Sequence, residues 1–324
     1  MPKRYDKAIV AGDACTDVTL KISDILDNDR QLEMPYRVSL GGTSANTAVA
    51  LSCLGVETGF LGTLGNDYSG KYIAKEMNAL KIDTDLTIVK DELNTINVYA
   101  FIDDTGERHL WGFPRSEQAY ADLDLSRVDL DKIRTASWFH SSGMTMLANG
   151  SIRETLPELF RIAYEAGVPT SFDFNTRVSS LEHLDPDAAQ AILKTLPYVR
   201  YLTGSAKDEF VCFHPCEDWK DSVRYFANKD RAVIARMGSE GFMTIVNGEE
   251  RYCPSYDVKV VNTTGAGDSF NAGFIAGILE GKDVYEAARL ANAVSGYKIS
   301  IGGQISRKAI DDFMTNTAYR SCDK

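Results

Sequence analysis

Several things are scarce in this 324-residue chain, and each shortage narrows what it can be. No apolar run is long enough to cross a bilayer, so no transmembrane helix is expected. The opening residues, MPKRYDKAIVAGDACTD, hold no long apolar core followed by a small-residue cleavage site, so no signal peptide is expected. Cysteine is sparse and scattered, at Cys15, Cys53, Cys212, Cys216, Cys253 and Cys322. That spread suits reduced thiols in a cytoplasmic protein better than a disulfide framework. The one close pair, CFHPC around His214, has no second Cys or His pair at zinc spacing, and ordinary thiols are the expectation. Positive charge is also short, with 35 Lys+Arg against 46 Asp+Glu and a formal net charge of -11. An acidic surface repels phosphate backbones, so no nucleic-acid partner is expected.

What is present is an alternation of short apolar runs and longer helical patterns. KAIVAG (7–12), TGFLGTLG (58–65), ASWFHSSG (136–143), VPTSFDFN (168–175), PYVRYLTG (197–204), RAVIARMG (231–238) and VKVVNTTG (258–265) read as strands. TSANTAVALSCLG (43–55), DYSGKYIAKEMNALKI (67–82) and SIRETLPELFRIAYEAG (151–167) read as helices. Alternating strands and helices imply an α/β fold with a mostly parallel sheet and ligands at the carboxyl ends of its strands. Residues 20–40 and 97–113 break the rhythm, because no helix separates their strand patterns. DDTG (103–106) between two alternating runs is a hairpin signal. A small antiparallel sheet inserted into the core is expected, with Tyr36, Tyr99, Phe101, Trp111 and Phe113 available to close over a ligand or pair with another subunit.

Glycine is concentrated in NTTGAGDSFNAG (262–273). Each glycine inside a helix costs roughly 1 kcal/mol relative to alanine, so Gly265, Gly267, Gly273 and Gly277 in VKVVNTTGAGDSFNAGFIAGILEG need a reason. Strand, glycines and helix start together present bare backbone amides to an anion. Gly265 and Gly267 leave room for that approach, and Asp268 is either an N-cap or a reacting carboxylate. SLGGTSANTA (39–48) has the same form, with Gly41 and Gly42 before a helix carrying Asn46. Asp13 and Asp17 follow the first strand, where carboxylates commonly hold hydroxyl groups. GNDYSGKY (65–72) nearly spells a P-loop, but Tyr72 stands where a metal-binding hydroxyl is needed. No GxGxxG follows a strand, so a nicotinamide dehydrogenase is not supported.

Together these segments resemble the ribokinase (PfkB) family of carbohydrate kinases over nearly the whole chain. NTTGAGDSFNAGFI matches the second family signature. GGTSANTA, with Gly55 and Gly65 beyond it, matches the first, with Ser44 as a small departure. SFDFNTR (171–177) is similar to the D-x-N-x-R segment of the fructokinase and ketodeoxygluconate kinase branches. The resemblance implies a ribokinase-like core formed by residues 1–18, 39–93 and 121–324, with a β lid formed by 19–38 and 94–120.

It further implies an ATP-dependent kinase acting on a primary hydroxyl of a monosaccharide or sugar acid. Asp268 would be the base, with the amides of Gly265, Ala266 and Gly267 as an anion hole. Asp13, Asp17, Gly41, Gly42, Asn46 and Arg115 would bind the sugar. Asn175, Arg177, Ser205, Asp208, Gly238, Gly241, Thr264 and Asn292 would face the nucleotide. Mg2+ is expected with ATP, a monovalent cation such as K+ is a further expectation, and the metal ligands are unassigned. A homodimer through the lid is implied. The family's N-x-x-E motif is altered here, with Ser205 and Asp208 of YLTGSAKDEF in its place. Two alternatives stand beside this reading: a nucleoside kinase of the same family, and a non-catalytic sugar-binding protein on the same fold. Arg108, His109 and Arg115 in or after the lid hairpin hint at an acidic or polar substrate end. Trp138 and His140 are expected in the core or behind the site.

Overall fold

The computed structural model describes residues 5–21, 36–103, 108–113, 117–178 and 180–320. Arg115 and Cys322 lie outside them. The main sheet contains β1 (Ala8–Ala11), β4 (Thr58–Leu61), β9 (Trp138–Ser142), β10 (Thr170–Asp173), β11 (Tyr201–Ser205), β12 (Ala232–Arg236), β13 (Phe242–Val246) and β14 (Glu249–Cys253). Its spatial order is β14-β13-β12-β11-β10-β9-β1-β4. All pairs from β4 to β12 are parallel, and β13 and β14 join antiparallel at one edge.

Alternation along β1 shows how the two faces are filled. Ile9 and Ala11 enter one apolar cluster, Ala8 and Val10 the other. The first cluster is covered by α3 (Leu130–Thr135), α4 (Ile152–Glu165), α5 (Pro186–Thr195), α6 (Glu209–Phe213) and α7 (Trp219–Phe226). Phe160 of α4 meets Phe139 and Phe172 edge to face, with ring centroids 5.0 and 5.7 Å apart. Each such pair adds about 0.5–1.5 kcal/mol beyond burial. The second face carries α1 (Thr43–Cys53), α2 (Tyr68–Ala79), α8 (Ala266–Leu279), α9 (Val284–Ile301) and α10 (Arg307–Asn316).

Gly273 and Gly277 are where α8 meets α9. A Cβ on Gly273 would lie 2.7 Å from the Ala291 Cα, and one on Gly277 would lie 2.8 Å from the Ala287 Cα. The small residues therefore let two backbones touch, and that contact offsets their poor helix propensity.

A small separate sheet, where the lid was expected, holds β2 (Cys15–Lys21), β3 (Arg37–Gly41), β7 (Asn97–Ile102) and β8 (Arg108–Phe113), in the order β3-β2-β7-β8. The sheet is mixed rather than antiparallel, because β2 and β7 run parallel at its centre. Tyr36, Trp111 and Phe113 are exposed on it. Residues 58–65 form two strands instead of one. The chain turns at Gly62, and β5 (Thr63–Gly65) leaves the main sheet to pair with β6 (Ile88–Lys90). Asp67 begins α2 as its N-cap, accepting from the Gly70 amide at 2.7 Å, so the near P-loop is a strand-to-helix turn.

One expected strand is absent. Residues 258–265 form no strand, and Val260 and Val261 are exposed. The amides of Val261 and Asn262 donate to the Ile299 carbonyl at the end of α9, so this run is tied to a helix end and not to a sheet. The sheet edge is instead taken by β13 and β14, which sequence reading missed. Their Asn247-Gly248 turn has φ of 51° and 82°, the left-handed pair that a tight hairpin needs.

Candidate active site

Strand ends of the main sheet and the first turns of α1 and α8 come together on one side. Asp13, just beyond β1, accepts from the amides of Thr43 and Ser44 at 2.7 and 3.2 Å and from the Thr145 hydroxyl at 3.2 Å. It caps α1 from across the chain, a helix whose own N-cap position, Gly42, offers no side chain. Gly42 has φ 100°, and a Cβ there would meet the Asp13 carbonyl at 2.8 Å. A Cβ on Gly41 would strike the Asp17 carboxyl at 2.4 Å, so bare backbone at Gly41 lets Asp17 face inward.

Asn46 lies in the first turn of α1, and its side-chain amide donates to Asp268 Oδ2 at 2.9 Å. Asp268 is in the first turn of α8 and only 5% exposed. Burial pushes its carboxyl up to about 7; the Asn46 hydrogen bond opposes that, and the Asp173 and Asp13 charges add to it. A carboxylate with that affinity can accept a proton near neutral pH.

Gly265 precedes α8 in the left-handed region, with φ 74°. The Ala266 amide is already used, donating to the Thr263 carbonyl at 3.2 Å. The amides of Gly265, Gly267 and Asp268 find no carbonyl among the described residues. These three amides are the ones left open at the start of α8, while the expected fourth contributor, Ala266, has its amide bonded to Thr263.

Behind this edge stands Arg236, at the end of β12. A Cβ on Gly267 would lie 3.7 Å from its guanidinium carbon. Arg236 makes two bonds to Asp173, at 2.7 and 3.0 Å, and one to Asn271 Oδ1 at 3.3 Å. Asn271 in turn donates to Asp173 at 2.7 Å. Burial alone would raise the Asp173 pKa, but Arg236 outweighs it and keeps the carboxylate ionised. Glu209 lies 3.8 Å from Arg236 and accepts the Ser205 amide at 2.8 Å. Burial and then the Asp173 charge push Glu209 upward.

Ser205 and Asp208 pair with each other at 2.6 Å on the outside, so Glu209 is the carboxylate of this segment that turns in. Sequence reading missed Glu209 and Arg236, and it held Asp173 in the D-x-N-x-R segment without giving it a role. It also missed Tyr120, whose hydroxyl is raised to about 12 by burial and then by the Asp13 charge. Lys298, a further omission, would lie 3.7 Å from a Cβ placed on Gly265 and donates to the Gly303 carbonyl at 2.8 Å. The only signal for Arg236 was its place at the end of a strand pattern, just before GSEG.

Asn175 and Arg177 follow β10 with φ of 34° and 57°. Backbone strain of that kind persists where the surroundings impose it, and it clusters at functional sites. The Arg177 charge is felt at both Cys15 and Asp268, where it partly opposes the burial that raises each. Gly241, with φ 104°, packs on the backbone of Cys253 and Pro254, and Asn292 donates to the Pro254 carbonyl at 2.9 Å. Gly241 and Asn292 thus flank one segment, Gly238 faces open space, and Thr264, just before α8, has its amide bonded to Asn262. His109 pairs with Asp103 at 3.1 Å on an exposed strand. Trp138 and His140 both bond the Ser171 hydroxyl, at 2.7 and 2.8 Å, and burial lowers His140 to about 4. They support β10 from inside the core.

Residues 6–309 match the pfkB family of carbohydrate kinases. The chain belongs to this family. It is 29% identical over 288 residues to an ATP-dependent ribose-1-phosphate kinase of Halopiger xanaduensis, covering 89% of this chain and 90% of that protein. It is 30% identical over 302 residues to an aminoimidazole riboside kinase of Salmonella typhimurium, covering 90% and 87%. A ribokinase II from E. coli solved with ATP and Mg2+ superposes with a TM-score of 0.81 at 21% identity, over 96% of this chain and 99% of that one. The protein is a sugar kinase with a ribokinase-like fold. Membership sets aside the dehydrogenase and the non-catalytic readings. Among the described residues no helix is long and apolar enough to cross a membrane.

Proposed function

We propose that this sugar kinase transfers the terminal phosphoryl group of ATP to a primary hydroxyl of a monosaccharide or sugar acid, with Asp268 as the base. The observation that carries this reading is the buried Asp268 carboxylate beside three bare amides at the start of α8. The sugar oxygen attacks the terminal phosphorus, the bond to the bridging oxygen of ADP breaks, and the hydroxyl proton passes to Asp268. The amides of Gly265, Gly267 and Asp268, backed by Arg236, stabilise charge on the phosphoryl oxygens. Asp17 and Asn46 hold sugar hydroxyls, and Gly41 and Gly42 let the sugar approach the backbone. Asp13 acts through α1, which it anchors.

The site fits a nucleotide's phosphates, given the open amides and the fixed guanidinium. No group of three or more His, Cys, Asp or Glu side chains that could hold a metal is present among the described residues. Magnesium would therefore enter mainly on the phosphates and water, with Glu209 the inward carboxylate available to it. Bound, it would neutralise phosphate charge.

Arg177 favours an acceptor whose far end is acidic. A coupled ADP-release assay with paired neutral sugars and sugar acids tests this. Arg177→Gln should lower kcat/KM for the acid more than for its neutral partner; equal losses would remove the acidic-end assignment. A nucleoside acceptor is the second reading, supported by the exposed Trp111 and Phe113, which can stack a base. Ribosides belong in the same panel. The aromatic lid face also fits a second copy of the chain, a dimer that light scattering would detect.

A further inference from the structure

The opposite end of the main sheet holds a second cavity. It lies where β11 and β12 begin, roughly 15 Å along the strands from Ser205 and Arg236. Its volume is about 360 Å³, and Arg200, Arg231, Lys229, Tyr164, Tyr201 and Asp230 are among its lining residues. Three cations against one carboxylate is an unusual local balance in a chain of net charge -11.

The two arginines are held in place without counter-ions. Arg231 donates to the carbonyls of Val199 at 3.2 Å, Phe226 at 3.3 Å and Leu196. Those bonds use three of its five N–H groups. The Arg200 guanidinium lies over the Tyr164 ring, 5.1 Å from its centroid, and its buried Nε has no hydrogen-bond partner. Among the described residues no carboxylate pairs with either arginine. Asp230 reaches only Lys229, at 3.9 Å. Burial lowers the Arg231 pKa.

Both arginines are partly buried, and withdrawing a cation from water is costly unless an anion meets it. A planar guanidinium suits phosphate oxygens. The volume is within the usual range for small-molecule sites and exceeds what a bare phosphate needs. The tyrosine rings offer surface for a sugar ring. We propose that this cavity is a second ligand site that takes a monosaccharide phosphate, its phosphate on Arg200 and Arg231 and its sugar against Tyr164 and Tyr201.

Isothermal titration of the intact protein with ribose 5-phosphate tests the site, using wild type, Arg200→Gln and Lys229→Ala. Lys229 is exposed, so its replacement does not threaten the fold, and Arg200→Gln is checked by its melting temperature without ligand. Arg200→Gln should weaken binding at least about tenfold, or ~1.4 kcal/mol, and Lys229→Ala more mildly. Sugar-kinase turnover should stay unchanged in both. Identical isotherms in all three proteins, or no binding by wild type at millimolar ligand, would overturn the proposal. Inorganic phosphate binding as tightly as ribose 5-phosphate would overturn the sugar-phosphate assignment.

Discussion

The side-chain amide of Asn46 donates to the Asp268 carboxylate across 2.9 Å, joining the first turn of α1 to the first turn of α8. The two family signatures thus meet, and the bond between them tunes the carboxylate that we propose as the base. Burial sets the Asp268 pKa high, at about 7, and Asn46 holds it from rising further. Catalysis needs the carboxylate, so kcat should fall as pH drops through about 7. Asn46→Ala should move that acid limb to higher pH. A pH–rate profile of both proteins checks it, and an unmoved limb would separate Asn46 from the base.

The same burial has a cost in stability. Asp268 has a folded pKa of about 7 against roughly 4 when unfolded, so the folded state binds its proton more tightly. Stability from this group is present below about pH 4 and is lost as pH rises through 7. Asp268→Asn keeps the hydrogen bond from Asn46 and removes the charge. At pH 8 it should therefore unfold at higher denaturant than wild type, by an amount on the order of a few kcal/mol. The difference should shrink toward pH 4.

Arg236 and Asp173 form a buried pair, and breaking one side strands the other. Arg236→Met should cost about 3–5 kcal/mol. The double variant Arg236→Met with Asp173→Asn should recover part of that loss while still binding ATP weakly. Denaturant midpoints give the first result, and the KM for ATP gives the second. Additive losses in the double variant would contradict a direct pair.

Gly273→Ala should destabilise the protein despite the better helix propensity of alanine. Its Cβ would lie 2.7 Å from the Ala291 backbone, so α8 and α9 must separate. Overpacking of this kind costs about 1–3 kcal/mol, more than the roughly 1 kcal/mol that propensity returns. A thermal melt decides the sign.

Much of this was legible in the sequence because it depends on local order. A strand that ends in glycines before a helix declares an anion edge, and GAGD and GGTSAN both do so. Alternating patterns marked β1, β9, β10, β11 and β12. Apolar content misled at residues 258–265, because β-branched residues report a preference for strands without reporting whether a sheet edge is free. The Asn247-Gly248 hairpin signal beside it was available and overlooked. Parallel pairing of β2 with β7 could not be read, since a long stretch of chain separates them. Arg236 and Asp173, 63 residues apart, meet only because β10 and β12, the two strands flanking β11, end at the same level. Glu209 was hidden by its neighbour Asp208, whose side chain points outward.

The central claim is that Asp268 takes the proton of a sugar hydroxyl during phosphoryl transfer. Steady-state ADP release by Asp268→Asn, with the best acceptor from the sugar panel, tests it most directly. Turnover should fall by about 10² to 10⁴-fold while the sugar is still bound with near wild-type affinity. Turnover within a few-fold of wild type would contradict the assignment.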